Sequence, residues 1–208
     1  EEAGDLSRLA GMDAGDVARL RELYFAEAVK HAADARSHLL VDKNPFAMGS
    51  MPIIHRIFPG ARIIFVERHP CDVVLSCFMT RFQPTGLGAN FLTLEDTARL
   101  YDEMMRLWTA SAELLPLKVQ HVRYERLVEG AEGELRPLAE FLGIDWRPQL
   151  LDHRTTARTR RYIKTRSYSQ VTEAVTAKAV GRWSRYRKQL ETVLPILEPW
   201  ARTMGYEL

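Results

Sequence analysis

The sequence predicts an α/β fold with an excess of helix, in a single domain over residues 1–208. The first observation is Ile63–Val66, an unbroken run of β-branched and aromatic residues that is typical of a parallel strand buried on both faces. The second is Pro70, which suits the first position of a following helix because its missing N–H costs nothing there. The third is size, since 208 residues with 46% hydrophobic content can bury one core.

Before this strand the pattern predicts two helices and a shorter strand. They are a helix from Asp13 or Asp16 to about His31, a strand at Leu39–Val41, and a helix at Ile53–Phe58. The shorter strand ends at Asp42-Lys43-Asn44-Pro45, where Pro45 restricts Asn44 to an extended or turn conformation. Its distance from Ile63–Val66 suits a βαβ crossover, so we expect the two strands to be parallel.

After the helix that begins at Pro70, Arg81–Asn90 contains one proline and two glycines. It predicts a loop long enough to act as a lid or substrate loop. The remaining elements are a helix from Thr93 to about Leu115 with Thr93 and Asp96 as an approximate capping box, a strand at Val119–Val128, a helix at Glu132–Leu142 stopped by Gly143, and helices at Arg182–Leu190 and Glu191–Met204.

Arg68 and Ser76 form a candidate binding site for an anion such as phosphate. Arg68 stands at the C-terminal end of the predicted strand, where open α/β sheets bind ligands, and Ser76 lies on the helix that follows. The N-terminus of that helix favours anions, a guanidinium can bind phosphate bidentately, and a serine hydroxyl adds a donor. The alternative is that Arg68 is a surface residue paired with Glu67 or Asp72.

The net charge of +2 does not decide for or against nucleic acid, but the charge is unevenly distributed. Residues 153–188 are rich in lysine and arginine and contain a single acidic residue, Glu173. This stretch predicts a basic surface that meets a polyanionic partner. Alternatively it is a solvated surface, and the two interpretations are compatible.

The two cysteines, Cys71 and Cys77, lie six residues apart on a predicted helix and point to different sides, so we expect no disulfide between them. The sequence has no metal-ligand spacing, no apolar run of membrane-spanning length and no signal peptide at its start. We therefore expect a soluble cytoplasmic protein that has no metal and whose partners include neither a nucleic acid nor a membrane.

Five stretches, taken together in this order, resemble the PAPS-dependent sulfotransferases. They are VDKNPF (Val41–Phe46), IIFVERHPCDVVLSCF (Ile63–Phe78), VRYERLV (Val122–Val128), FLGIDW (Phe141–Trp146), and TRSYSQV followed by VGRWSRY. The nearest branch is the bacterial TPR-linked and tyrosylprotein sulfotransferase-like group, and the likeness covers roughly residues 40 to 208. It implies a P-loop-like parallel sheet flanked by helices, 3′-phosphoadenosine-5′-phosphosulfate (PAPS) as donor, and a hydroxyl acceptor, often tyrosine.

The resemblance also implies which residues bind the donor. Arg68 and Ser76 match the family's 3′-phosphate motif, and Tyr124 matches a tyrosine near the adenine. Arg182 matches a basic residue of a late loop that closes over the nucleotide phosphates. The structural alternatives are that Tyr124 is a core aromatic residue and Arg182 one of many solvated arginines.

Lys43 and Ser167 are the catalytic residues that the resemblance implies. Lys43 matches a lysine that contacts the transferring sulfuryl group and the leaving phosphate oxygen, and Ser167 matches a serine that hydrogen-bonds near the same group. Sulfuryl transfer is an in-line displacement like phosphoryl transfer, and fixed cations can stabilise its charge without a metal. Alternatively Lys43 pairs with Asp42, and Ser167 caps a turn.

The chain departs from the family before Lys43. It contains nothing like RSGTT, the loop whose backbone amides hold the donor's 5′-phosphosulfate, and the catalytic carboxylate of the tyrosylprotein branch would lie upstream of Glu1. Pro45 stands where the cytosolic branch has its histidine, and His55, on a predicted amphipathic helix, is typical of a surface or core residue. We therefore expect the C-terminal portion of a longer enzyme, with an α/β sheet incomplete at the N-terminus. The alternative is a protein that has lost the loop and, with it, efficient catalysis.

The leading hypothesis is a sulfotransferase that modifies a hydroxyl group of a small molecule or of a peptide tyrosine. The alternative is a catalytically silent nucleotide- or anion-binding interaction module that uses the basic stretch. A third possibility, a relative of the nucleotide kinases, is disfavoured because the sequence lacks a phosphate loop and an acidic pair that could hold a metal.

Overall fold

The computed structural model of the chain describes residues 6–33, 35–80, 82, 86–152 and 177–208. The described residues divide into two compact units. The first contains those up to Ile63 together with Glu103–Lys118, and the second contains those of Ile64–Asp102 and Val119–Leu208. The single domain expected over residues 1–208 stays a prediction.

The first unit begins with helices α1 (Leu6–Ala10) and α2 (Ala14–Ala28). Asp13 and Asp16 form a capping box at the start of α2, in which the backbone N–H of Asp16 donates to Oδ1 of Asp13 at 2.8 Å. The helix predicted from these caps is confirmed, although it ends at Ala28 rather than His31.

Helix α3 (Met51–Ile57) confirms the helix expected at Ile53–Phe58 and follows a short 3-10 helix at Ala47–Ser50. It packs on α2 through Tyr24, Phe25 and Phe58, whose ring centroids lie 5.0 to 6.0 Å apart in edge-to-face contacts. Nε of Arg21 donates to the carbonyl oxygen of Ile57 at 2.6 Å, which satisfies one of the acceptors at the end of α3.

The strand predicted at Leu39–Val41 is wrong, because these residues follow an irregular path with Leu39 58% and Val41 65% exposed. Three apolar residues bury little surface, and a strand also needs a partner for its backbone groups. The chain then bends in an Asx turn, where the backbone N–H of Phe46 donates to Oδ1 of Asn44 at 2.9 Å. The crossover expected from this strand is therefore also wrong.

Strands β1 (Arg62–Glu67) and β2 (Lys118–Arg123), most of whose residues belong to the second unit, form a two-stranded parallel sheet. This mixture of helix and parallel sheet confirms the predicted α/β class. Phe65 is buried but Val66 is 59% exposed, so β1 is not buried on both faces as its sequence suggested.

Helices follow each strand of the second unit. They are α4 (Pro70–Met79), α5 (Leu94–Leu114, of which residues 94–102 belong to the second unit), α6 (Tyr124–Glu129), α7 (Ala131–Leu142), α8 (Arg187–Leu190) and α9 (Leu194–Thr203). Short 3-10 helices lie at Gly86–Phe91, Pro148–Leu151, Ala177–Ala179 and Arg182–Tyr186. No helix among the described residues has the length and apolar composition needed to cross a membrane.

Local sequence signals explain most of these boundaries. Pro70 occupies the first turn of α4, as predicted, and the Oγ1 atom of Thr93 accepts the backbone N–H of Asp96 at 3.0 Å before α5. Gly143 (φ 67°) and Gly205 (φ 69°) end α7 and α9 in the left-handed region, where glycine carries no Cβ penalty. Part of the loop predicted at Arg81–Asn90 lies outside the described residues.

Two predicted boundaries are wrong. The strand expected at Val119–Val128 ends at Arg123, and Tyr124–Glu129 is helix α6. Tyr124, Leu127 and Val128 recur at helical spacing and are all half-buried, so helical periodicity prevails over their β-propensity. The helix expected at Arg182–Leu190 is instead a 3-10 helix continued by α8.

The core of the second unit lies where α4 meets the C-terminal helices. Its buried members are Cys71, Val74, Leu75, Ala98, Trp183, Leu190, Val193 and Leu197. Burial raises the pKa of the Cys71 thiol to about 12. Both Cys71 and Cys77 are free, as their spacing predicted.

Candidate functional site

Arg68 lies in the two-residue connection between β1 and α4, and its side chain is 19% exposed. The connection is short because His69 caps α4: the backbone N–H of Cys71 donates to Nδ1 of His69 at 3.2 Å. Pro70 then fixes the first helical residue. Arg68 therefore stands at the C-terminal end of a parallel strand, where such sheets bind ligands.

The guanidinium of Arg68 contacts three elements of the second unit. Its Cζ atom lies 4.9 Å from the ring centroid of Tyr124, the first residue of α6. Its Nη2 donates to the carbonyl oxygen of Ala179 at 2.5 Å and lies 3.7 Å from Oδ2 of Asp72 on α4. The ring, the carbonyl and the carboxylate together hold the planar group at the end of β1.

The Nε atom of Arg68 is buried and has no hydrogen-bond partner among the described residues. A buried donor without an acceptor costs about 1–3 kcal/mol, so such a group is uncommon in a stable fold. An acceptor supplied by a ligand would remove this cost. The Arg68 guanidinium is thus held by three contacts, while its Nε stays unpaired among the described residues.

Ser76 is exposed on α4, one helical turn after Asp72 on the same side of the helix. Burial raises the pKa of the neighbouring Cys77, and the positive charge of Arg68 opposes that rise. Ser76 therefore lies one helical turn from Asp72, which is itself 3.7 Å from the Arg68 guanidinium.

Asp72 joins the Arg68 site to a distant part of the chain. Its carboxylate is fully buried and accepts the backbone N–H groups of Gly181 and Trp183, each at 2.8 Å. Arg182 lies between these two anchored residues, and its Nη2 lies 3.3 Å from the sulfur of Met79 on α4. The second unit thus brings Arg68, Ser76, Tyr124 and Arg182 to α4 and its immediate surroundings.

A sequence model of the sulfotransferase family matches residues 6–148, which is more than half of the chain. The chain belongs to the sulfotransferase family. A solved structure, the sulfotransferase domain from the curacin biosynthetic pathway, superimposes with a TM-score of 0.51 at 19% identity. The alignment covers 97% of this chain and 77% of that domain, and it supports the fold.

Curated relatives of this chain come from bacteria and animals. Protein-tyrosine sulfotransferase 1 of Danio rerio is 26% identical over 185 residues, which cover 86% of this chain and 51% of the relative. Protein-tyrosine sulfotransferase A of Caenorhabditis elegans is 24% identical over 183 residues, which cover 83% and 46%. An uncharacterised Aquifex aeolicus protein is 28% identical over 169 residues, covering 79% and 21%. The chain spans about half, or less, of the length of these relatives.

Neither of the two residues predicted to be catalytic is among the described residues of the second unit. Lys43 belongs to the first unit, where it is exposed in the irregular segment before the Asx turn. Ser167 lies outside the described residues, as do residues 153–176 of the basic stretch. Of that stretch, Lys178, Arg185, Arg187 and Lys188 are described and exposed.

The sequence did not single out two acidic residues that hold the surroundings of Arg68 in place. Asp72 was considered only as an ion-pair partner of Arg68, yet its shortest contacts are to the backbone of Gly181 and Trp183. Glu125 accepts the backbone N–H of His69 at 3.0 Å. The sequence signal that could have found them is an acidic residue close to the end of a strand, but the sequence does not show which backbone N–H groups each carboxylate will bind.

Proposed function

We propose that this chain carries the donor-binding part of a sulfotransferase that moves a sulfuryl group from PAPS to a hydroxyl acceptor without a metal. The observation that carries the proposal is the buried, partly unsatisfied guanidinium of Arg68 at the end of β1. An anion with several acceptor oxygens, such as the 3′-phosphate of PAPS, can accept hydrogen bonds from the remaining N–H groups of this planar cation.

The neighbours of Arg68 support a nucleotide rather than a simple inorganic anion. The hydroxyl of Ser76 supplies a further donor on α4, and the ring of Tyr124 offers an aromatic surface for the adenine. Arg182 adds a second cation from a segment anchored to the same helix through Asp72. These are the roles that we propose for the four residues.

Lys43 and Ser167 complete the proposal on the strength of the resemblance. A lysine at the bridging oxygen neutralises the negative charge that collects on the leaving bisphosphate as the bond to sulfur breaks. A serine hydroxyl donating to the same group would hold it in line with the acceptor oxygen. The free thiols of Cys71 and Cys77 favour the reducing cytoplasm that we propose as the location.

An apolar cavity in the second unit supports an acceptor that carries an aromatic or other apolar group. It has a volume of about 370 Å³ and lies between the end of α4 and the 3-10 helix at Gly86–Phe91. Its lining includes Phe78, Phe82 and Phe91, and the rings of Phe82 and Phe91 lie 4.5 Å apart. A phenolic hydroxyl, on a small molecule or a peptide tyrosine, fits such a lining. The animal relatives' names point to tyrosine, and the tyrosylprotein-like branch is part of the proposal.

Turnover of sulfur-labelled PAPS tests the proposal. Because the chain spans half or less of its relatives' length, the assay uses this chain and the full natural protein, should that be longer, with phenol and a tyrosine peptide as acceptors. We expect a labelled acceptor, and Lys43→Ala should slow its formation at least about 100-fold, the order lost with a charge-stabilising group. Lys30→Ala, which removes an exposed lysine of the same unit, is the matched control.

The outcomes separate the candidate functions. Labelled product that Lys43→Ala abolishes and Lys30→Ala preserves would support the sulfotransferase. Donor binding without product from either protein would favour the silent interaction module instead. Product formed equally by both variants would contradict the role of Lys43.

A further inference from the structure

The backbone between Arg68 and His69 is held by a single carboxylate. The N–H of His69 donates to Oε1 of Glu125 at 3.0 Å. That N–H belongs to the peptide group joining His69 to Arg68, so this hydrogen bond limits rotation about the Cα–C bond of Arg68. The hydrogen bond therefore fastens the start of α6 to the connection that carries Arg68.

Glu125 and its neighbour act on the two ends of the same arginine. Tyr124 lies against the guanidinium, and Glu125, the next residue of α6, binds the backbone peptide that follows Arg68. A shift of α6 would therefore move both supports together. The start of α6 therefore contacts both the guanidinium of Arg68 and the peptide group that follows it.

The other carboxylate oxygen of Glu125 binds a residue near the end of the chain. The hydroxyl of Tyr206 donates to Oε2 of Glu125 at 2.8 Å. Burial and this hydrogen bond raise the pKa of Tyr206, so its hydroxyl keeps the proton that it donates. The guanidinium of Arg123 lies 4.3 Å from the centroid of the Tyr206 ring and donates to the carbonyl oxygen of Met204, which fixes the tail beside Glu125.

The side chain of His69 also contacts the C-terminal tail. Its Nδ1 accepts the N–H of Cys71, so its Nε2 carries the ring hydrogen and donates to the carbonyl oxygen of Glu207 at 3.0 Å. Its ring also lies 5.1 Å from that of Tyr206. The residue after Arg68 is therefore held by the C-terminal tail both directly and through Glu125.

We propose that Glu125 is a positioning residue for the donor site. We also propose that the C-terminal tail, through the hydroxyl of Tyr206, holds the Glu125 carboxylate in its orientation. The inference rests on the proposed function, since it assumes that Arg68 binds the 3′-phosphate. A misdirected guanidinium would weaken contact with that phosphate and leave contacts with the rest of the nucleotide unchanged. Selectivity for the 3′-phosphate, rather than affinity in general, should then depend on residues that touch no ligand.

Calorimetric titration with adenosine 3′,5′-bisphosphate and with 5′-AMP tests this selectivity in Glu125→Ala, Glu125→Gln and Tyr206→Phe. We expect Glu125→Ala to weaken the bisphosphate about tenfold and 5′-AMP less than about twofold, as the loss of one charge-assisted contact would. Glu125→Gln keeps an acceptor for His69 and should recover most of the selectivity. Tyr206→Phe keeps the ring and should fall between the two. Glu129→Gln, an exposed change on the same helix, is the control.

A second measurement needs no nucleotide. The Nε–H resonance of Arg68, assigned by its absence in Arg68→Lys, should shift in Glu125→Ala and stay in place in Glu129→Gln. A wild-type preference for the bisphosphate that Glu125→Ala leaves intact would overturn this inference and not the proposed function. An unshifted resonance would overturn it as well, and so would equal losses for the two nucleotides. No preference in the wild-type chain would instead overturn the proposed function, and with it this inference.

Discussion

Oδ1 of Asp72 accepts the backbone N–H of Trp183 at 2.8 Å, although the two residues are 111 positions apart in the chain. The other oxygen accepts the N–H of Gly181 at the same distance. The carboxylate thus fixes the segment that carries Arg182 on the helix that carries Ser76. It also lies beside the guanidinium of Arg68 and partly balances its charge.

Asp72→Asn should destabilise the second unit. The amide of asparagine has one acceptor oxygen, so its NH₂ group must face one of the two backbone N–H donors. We expect the free energy of unfolding in urea to fall by about 2–4 kcal/mol, because the site is fully buried. Glu140→Gln, an exposed change on α7, should stay within about 0.5 kcal/mol of the parent. A stable Asp72→Asn protein would contradict the buried anchor.

Stability should fall as the pH rises above 9. Burial raises the pKa of Cys71 from 9.0 to about 12, so between these values the unfolded chain loses a proton that the folded chain keeps. The unfolded state then binds fewer protons, and the free energy of unfolding decreases with pH. Burial raises the pKa of Tyr101 and of Tyr206 too, which extends the decrease above pH 10.

Urea unfolding from pH 8 to pH 11 measures this decrease. Cys71→Ala should reduce the slope of the free energy of unfolding against pH between pH 9 and pH 10, where the tyrosines contribute little. Because the pKa of the Cys77 thiol is raised less, Cys77→Ala should reduce this slope to a smaller extent. An identical slope in the parent and in Cys71→Ala would show that the Cys71 thiol does not carry the effect.

The acceptor cavity gives a kinetic prediction. Phe82→Ala removes a ring that lines the cavity and packs at a tilt against Phe91, and should raise the KM for a phenolic acceptor about 5- to 30-fold. The KM for PAPS should not change, because Phe82 lines the proposed acceptor cavity and is not among the residues proposed to bind the donor. Leu87→Ala, a 45% exposed residue of the adjoining 3-10 helix that does not line the cavity, is the matched control. A change in the KM for PAPS alone would place the acceptor elsewhere.

Local sequence signals were enough to predict the strand and the helix on either side of Arg68. The run Ile63–Val66 and the proline at position 70 identify β1 and the start of α4, and therefore the place of Arg68 between them. Asp13 and Gly143 likewise mark helix ends through contacts within a few residues. Such signals work because the interacting groups are neighbours in the chain.

The errors arise where distant partners decide. Leu39–Val41 has the composition of a strand, but a strand forms only when its backbone finds a partner, which the sequence does not reveal. The roles of Asp72 and Glu125 depend on Trp183 and Tyr206, more than 80 residues away in each case. An acidic residue in a sequence does not announce which backbone N–H it will meet.

The most direct test of the central claim is a calorimetric titration of the chain with adenosine 3′,5′-bisphosphate, with 5′-AMP as the reference ligand. We expect tighter binding of the bisphosphate, and Arg68→Ala should weaken it by about 2–3 kcal/mol, the value of a charged hydrogen-bonded contact. Arg68→Lys keeps the charge without the planar fork and should recover only part of the loss. Arg99→Ala removes an exposed arginine of the same unit and should bind like the parent. Selective binding lost with Arg68 alone would establish the donor site, whereas selective binding that survives Arg68→Ala would contradict it.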